Sequence, residues 1–368
     1  MNDGREELDD LREAVREFLA AKSPETAVRA AMETGHDPAV WDQMARQLRL
    51  PGLALPADYG GDGFGLTELE VVLEEMGAAL LCAPFFGTVV LAAQALLAAN
   101  DKAACERYLP GIAAGETTAT LAVAESSGSW DPAGIATRGE RTADGWALTG
   151  KKSFVIDGSI AGLVLVVAQA PAGPALFAVQ SGTRGLRTEP MTTLDPTRPM
   201  AALTFDQVPG ELIGAEGEGS QLLNRVLDVA CVGLAAEQAG GAGRCLEMSA
   251  EYARTRFQFG RAIGTFQAIK HKCADMLARV ELAEAAAREA ARLADEGAAE
   301  FPAAAATAHI CCSQAYMFAA AENIQVHGGI GFTWEHPAHL YFRRAKASEL
   351  LFGGPAVYHE RLLARLGI

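Results

Sequence analysis

The stretch QVHGGIGFTWEHPAHLYFRRAKASELLF, Gln325 to Phe352, ends a long helical segment in a Gly328-Gly329-x-Gly331 turn and runs on into Arg343, Arg344 and Lys346. Glycines let backbone N–H groups approach a ligand closely, and three basic side chains follow within one short helix. That combination suits a phosphate-bearing ligand. The residue that closes the stretch, Phe352, bears on what the chain can catalyse.

Working outward, the helical period holds back to about residue 215. Pro302 fits the first turn of the helix that ends at the glycine turn. Before it, Thr265 is placed to cap a helix from Phe266 to about Glu296, with Glu284 and Arg288 as an i,i+4 pair. Earlier still, Ser220 is placed to cap a helix with Leu223, Val226, Leu227, Ala230 and Leu234 on one face, kinked at Gly240-Gly241 and stopped by Gly260. Between residues 119 and 214 the pattern changes to short β-type runs (ATLAVAES, GWALTGKKSFVI, AGLVLVVAQA, ALFAVQS, MAALTFDQVP) separated by Gly, Pro and Asp turns. Val164 to Val167 is apolar throughout, as in a strand buried on both faces. Residues 1–118 are helical again: Leu11, Val15, Phe18 and Leu19 recur at helical spacing, as do Trp41, Met44 and Leu48. The order is helical (1–118), β (119–214), helical (215–368).

Composition narrows the function classes. A formal charge of −15 excludes a nucleic-acid surface built on clustered positive charge, but not a small anionic ligand met by local arginines. The seven cysteines are odd in number and show no C-x-x-C spacing, which predicts reduced thiols in a cytoplasmic protein. MNDGREELDD is acidic where a signal peptide is basic. Leu80 to Ala99 lacks charge, yet Pro84 and Gly87 interrupt it, so it reads as a buried helix and not a membrane span. Glu335, His336 and His339 are poorly spaced for a metal, because Pro337 breaks the alignment.

The motifs resemble the acyl-CoA dehydrogenase family along the whole chain. Pro56-x-x-Tyr59-Gly60-Gly61 followed by Glu74-Glu75 resembles its first domain. Glu125, Asp131-x-x-Gly134, Gly145 and Gly150-x-Lys152 resemble its middle domain. Arg256-x-x-Phe259-Gly260, Phe266-Gln267 and Gln325-x-x-Gly328-Gly329-x-Gly331 resemble its last. The resemblance implies an α+β fold: an N-terminal helical domain, a small central β-barrel or sandwich, and a C-terminal four-helix bundle. It also implies FAD, which takes a hydride from the β-carbon of an acyl-CoA while a glutamate takes the α-proton. An electron-transfer flavoprotein is the implied acceptor. Each FAD of the family lies across a subunit pair, one subunit holding the flavin ring and its neighbour the adenosine diphosphate end. The neighbour's role falls here on Arg256 at the pyrophosphate, Phe259, Gln267, Gln325, Gly328 and Gly329.

The other half departs from the pattern. The family's threonine-glutamate-proline-glycine-x-glycine-serine-aspartate is Ala124-Glu125-Ser126-Ser127-Gly128-Ser129-Trp130-Asp131, and its tryptophan-isoleucine-threonine is Phe154-Val155-Ile156. Hydroxyls beside the flavin are lost at Ala124 and Ile156, and an indole enters at Trp130. The two positions matched to the family's catalytic glutamate are Phe352 and Gln258, neither of which accepts a proton. Glu335 and Glu349 are the nearby carboxylates that could replace it. The expectation is therefore a non-catalytic subunit of a heteromeric, α2β2-type acyl-CoA dehydrogenase. Its homologous catalytic partner would supply the glutamate, and the substrate would be an acyl-CoA such as a steroid side-chain thioester. The alternatives are a self-sufficient homotetramer with a relocated base, and a flavin-free acyl-CoA-binding or scaffold protein.

Overall fold

The change of period near residue 118 coincides with a change from helix to strand in the computed structural model, which describes residues 3–368. The first segment holds α1 (Asp3–Lys22), α2 (Glu25–Thr34), α3 (Pro38–Leu48) and α4 (Leu66–Ala78). A π-helix, Phe86–Ala93, then runs into α5 (Gln94–Ala98), and α6 is Lys102–Ala113. The strands are β1 (Ala119–Ala122), β2 (Arg138–Thr142), β3 (Gly145–Ile156), β4 (Leu163–Ala170), β5 (Gly173–Gln180), β6 (Leu186–Met191) and β7 (Met200–Ile213). Next come α7 (Gly219–Thr255), the short β8 (Phe257–Gln258) and β9 (Arg261–Ala262), α8 (Gln267–Asp295), α9 (Phe301–His327), α10 (Ala338–Leu350) and α11 (Pro355–Arg365). The expected helical–β–helical class is the one observed. By contact density the chain divides into two units: residues up to 29, 66–81 and 231–368 form one, and 30–65 with 82–230 form the other.

In the second unit the strands close on themselves. β3 pairs antiparallel with β2 and β7, while β5 pairs with β4 along its length and with β7 near Ile213; a contact between Arg138 and Gln169 joins β2 to β4. The result is barrel-like, filled by Leu148, Val164, Val166, Phe177, Leu203 and Phe205. β2 (RGERT) and β6 (LRTEPM) are mostly exposed, so they carry no apolar alternation and the sequence does not announce them. The uncharged 80–99 segment supplies the π-helix, buried at every position, with the Thr88 hydroxyl spent on the Ala119 carbonyl at 3.1 Å. No helix among the described residues is long and apolar enough to cross a membrane.

The first unit is set by a helix crossing. α7 continues as unbroken helix through Gly240-Gly241, where a kink was expected. The glycines serve contact instead: a Cβ at Gly240 would fall 1.8 Å from the Glu74 carbonyl oxygen, and one at Gly77 2.0 Å from that of Glu237. Backbone therefore rests on backbone where α4 meets α7. Two expected caps are also revised. Ser220 lies inside α7, which starts at Gly219, and the Thr265 hydroxyl donates to the Ala262 carbonyl while Phe266 precedes α8 without a side-chain cap. The N-terminus of α4 is capped from a distance, Asp295 accepting from the N–H groups of Leu66 and Thr67 at 2.6 and 2.8 Å. The cysteines of the described residues are free thiols, most of them buried, as expected.

α4 also buries three carboxylates, Glu70, Glu74 and Glu75. α1 answers two of them: Arg12 donates to Glu74 at 3.0 Å and to Glu75 at 3.1 Å, and Arg16 grips Glu75 in a two-pronged contact at 2.8 and 3.0 Å. Burial, then the neighbouring Glu74 charge, pushes Glu70 up to about 8.

Two outcomes follow from this geometry. Gly240→Ala should destabilise the chain by about 2 kcal/mol or more, because the overlap involves main chain that cannot rotate away; urea unfolding measures it. Glu70 keeps its proton in the folded chain and loses it on unfolding over roughly pH 5–8, so folding binds a proton and stability falls as pH rises through that window. Glu70→Gln should flatten that fall in thermal midpoint, and an unaltered slope would refute the assignment.

Candidate functional site

Past Thr255, α7 gives way to a hairpin. The Arg256 carbonyl accepts from Ile263 N–H at 2.8 Å, β8 pairs with β9, and Phe259-Gly260 turns the corner with φ of 53° and 79°. Two consecutive positive φ values match the twist of a tight hairpin, and at Phe259 they hold a bulky side chain in a conformation it rarely adopts. Its ring is 91% exposed and meets Phe266 edge-on, with Arg261 over Phe266 at 4.1 Å. The Arg256 guanidinium is exposed and has no hydrogen bond or ion pair among the described residues. Gln267 is the first residue of α8, where free N–H groups favour an anion, and its amide lies 3.4 Å from His271.

The second group sits at the end of α9. Gln325 is exposed, Gly328 closes the helix at φ 63°, and a Cβ on Gly328 or Gly329 would meet nothing within 4 Å. Gly331 differs: it is buried, and a Cβ there would press the His327 side chain at 2.9 Å, so it serves the turn itself. Tyr252, one turn before Arg256, stacks on His327, next to Gly328, with centroids 4.3 Å apart, and Lys272 of α8 pairs with Glu322 of α9. These contacts bring the two groups of expected nucleotide-side residues into one region, and all six face solvent. Phe257, Phe332 and Trp334 lie in the same segments at 64%, 79% and 57% exposure.

The basic triplet does not converge as expected. Arg343 stacks over Trp334 at 4.9 Å, Arg344 is buried, and Lys346 is tied to Glu349 one turn on. Helical spacing sends consecutive residues in different directions, so proximity in sequence did not become one anion site.

Phe352 lies between α10 and α11, 1% exposed, in the left-handed region at φ 63°. Glu349 is spent on Lys346, Glu335 is exposed ahead of α10, and Gln258 belongs to the exposed hairpin with its amide on the Phe257 carbonyl. His309 is fully buried against Tyr358, ring centroids 4.2 Å apart, and burial pushes it down to about 4, leaving it neutral near pH 7. The Cys231 thiol in turn donates to the Tyr358 hydroxyl oxygen at 2.8 Å. Among the described residues no cluster of three His, Cys, Asp or Glu could hold a metal.

The loop after β1 is pinned from beneath. Glu125 accepts from Ala136 and Thr137 N–H and from the buried Lys152 ammonium at 2.9 Å, and Lys152 also donates to the Val123 carbonyl at 2.8 Å. Burial brings Lys152 down to about 8; burial alone would raise Glu125, but the Lys152 and Thr137 donors hold it below its ordinary value. On this frame Ala124, Trp130 and Ile156 are buried at 1%, 6% and 1%. A bulge in β3 sets Phe154 at φ 57°, with Met191 sulfur accepting from its N–H at 3.3 Å. Two of the loop hydroxyls are spent locally: Ser127 and Ser129 accept from backbone N–H groups two residues on. The exposed, unpaired Arg256 suits an anionic group, while the positions expected beside a flavin, Ala124 and Ile156, carry no hydrogen-bonding side chain.

Comparison with known proteins identifies the family. The N-terminal, middle and C-terminal domain models of acyl-CoA dehydrogenases match residues 5–116, 120–208 and 217–367. Acyl-CoA dehydrogenase IpdE2 of Mycobacterium tuberculosis is 37% identical over 363 residues, 97% of this chain and 96% of that protein. Among solved structures, the Tcur3481-Tcur3483 steroid ACAD is 33% identical with a TM-score of 0.88, covering 98% of each chain. The ChsE4-ChsE5 complex from Mycobacterium tuberculosis is 28% identical with a TM-score of 0.87, covering 98% of this chain and 97% of that one. Members of the family are FAD-dependent oxidoreductases acting on acyl-CoA. With all three domain models matched in order, this chain belongs to the acyl-CoA dehydrogenase family.

Proposed function

We propose that this chain is the non-catalytic subunit of a heteromeric acyl-CoA dehydrogenase, lending its nucleotide-side residues to an FAD whose ring and catalytic glutamate belong to a homologous partner. One contrast carries the reading: Arg256 stands exposed and unpaired, whereas Phe352 is buried hydrocarbon at the position matched to the family's base. Arg256 would donate to the pyrophosphate, the N-terminus of α8 beside Gln267 would favour its charge, and Gly328-Gly329 would let main chain come near the adenosine. Phe259 and its exposed aromatic neighbours would be covered by the partner. Bound FAD supplies the hydride acceptor; the α-proton goes to the partner's carboxylate. The likeness to a steroid ACAD supports a CoA thioester of a steroid side chain as substrate, with an electron-transfer flavoprotein as acceptor. A second reading, a flavin-free homologue, draws on the buried Trp130 and Ile156.

The visible spectrum separates the two. Purified alone, the chain should carry little flavin; co-expressed with a glutamate-bearing homologue it should reach about one FAD per two chains. A colourless complex would favour the flavin-free reading, and a fully loaded yellow chain on its own would overturn both. Within the complex, Arg256→Ala removes charge-assisted hydrogen bonds of about 1.5–3 kcal/mol each and should weaken FAD binding roughly 10- to 100-fold. Unchanged flavin content would remove Arg256 from the site.

Phe352→Glu places an unpaired carboxylate where the native side chain is 1% exposed, so it should destabilise the fold by about 3–5 kcal/mol. It should also give the isolated chain no turnover. Dehydrogenation by that variant alone would show that the ring-side positions do accept flavin.

A further inference from the structure

The first unit contains a cavity of about 530 Å³ that the roles above leave unused. Its walls are the second half of α1, the start of α2, the end of α4, the middle of α7, Glu284 of α8 and the first turn of α10. Buried Leu19, Val28, Leu80, Met248 and Leu340 supply the apolar part of a mixed lining. Protein interiors are packed as tightly as organic crystals, so a space of this size is a site unless something fills it. Gly243 helps keep it open: a Cβ there would have only a Val280 methyl within 4 Å, at 3.9 Å.

Charge decides what the space can take. Among the described residues five carboxylates line it, and each has its own arginine. Glu74 and Glu75 are held by Arg12 and Arg16 from α1, and Glu284 by Arg288 at 2.8 Å. At the rim Glu25 is bonded by Arg29 at 2.8 Å and Glu247 by Arg244 at 2.9 Å. Arg16 and Arg244 line the cavity themselves, and only with Arg12, Arg29 and Arg288 behind the wall do the five pairs sum to zero formal charge. The hydroxyls are committed as well, Ser23 to the Ala79 carbonyl and Tyr341 to that of Ala78. What remains is hydrogen-bond acceptor capacity on the carboxylates, which carry about four lone-pair sites each. An anion would face five carboxylates, and a cation would have to displace an arginine. The polyanionic end of a CoA thioester is unsuited to it.

We infer that this cavity is a second small-molecule site, taking an uncharged, largely apolar compound that carries a hydroxyl or amine hydrogen to donate. It is formed within one unit by α1, α4, α7 and α10 and owes nothing to Arg256, Phe352 or the loop after β1. Its test needs neither flavin nor a partner, so failure here and failure of the heteromer reading are separate results.

The probe is 1-aminoanthracene, an uncharged tricyclic fluorophore with an N–H donor, titrated into the full-length chain. Saturable fluorescence enhancement is expected. Gly243→Leu, which fills the space, and Ala20→Phe, which narrows it from the exposed side of α1, should each weaken binding at least about tenfold. Their helical circular dichroism and thermal midpoints should stay close to those of the parent, and having two variants guards against one that fails to fold. An excess of the anionic fluorophore 8-anilinonaphthalene-1-sulfonate should leave aminoanthracene bound. Absence of saturable binding, full affinity in both folded variants, or displacement by the sulfonate would each overturn the proposal.

Discussion

The contact on which the first unit depends is main chain against main chain. Gly77 lies on the Glu237 carbonyl and Gly240 on that of Glu74, at distances no side chain could share. Two helices held this close cannot slide, because the overlap energy rises steeply on either side of the fit. That fixed crossing presents Glu74 and Glu75 to α1, and the arginines of α1 then satisfy carboxylates that would otherwise be costly to bury. The cavity beside the crossing and the protonated Glu70 behind it are consequences of the same junction.

Much of this architecture was legible in advance. The switch from a 3.6-residue to a two-residue period located the barrel, and β3 runs over the same residues as its motif. The sequence was silent where side chains face water on both sides, as in β2 and β6, because alternation exists only when one face is buried. Ser220 and Thr265 look alike as caps, yet whether a hydroxyl caps a helix depends on a backbone angle that the sequence does not display. The partnership of Arg12 with Glu74 spans more than sixty residues, which no local pattern encodes.

At the candidate site, the motifs singled out six positions expected on the nucleotide side, and the Tyr252–His327 stack brings their two groups together. The same reasoning overreached for Arg343, Arg344 and Lys346, since clustering along a helix is dispersal around it. Counting residues identified Phe352, but not its burial or its left-handed backbone. Three phenylalanines, at 154, 259 and 352, share that uncommon conformation, each at a motif position, so the surrounding fold over-determines the contour there.

The hairpin at Phe259 has a cost for the chain when it is alone. A ring held in a left-handed corner cannot fold back to hide itself, and Phe257, Phe332 and Trp334 add to the same greasy surface. On the assembly proposed above, a copy without its partner would be exposed to self-association and to proteases that recognise such surfaces. The abundance of this polypeptide in a cell would then be governed by the supply of whatever shields that corner, a dosage link written into one turn of backbone.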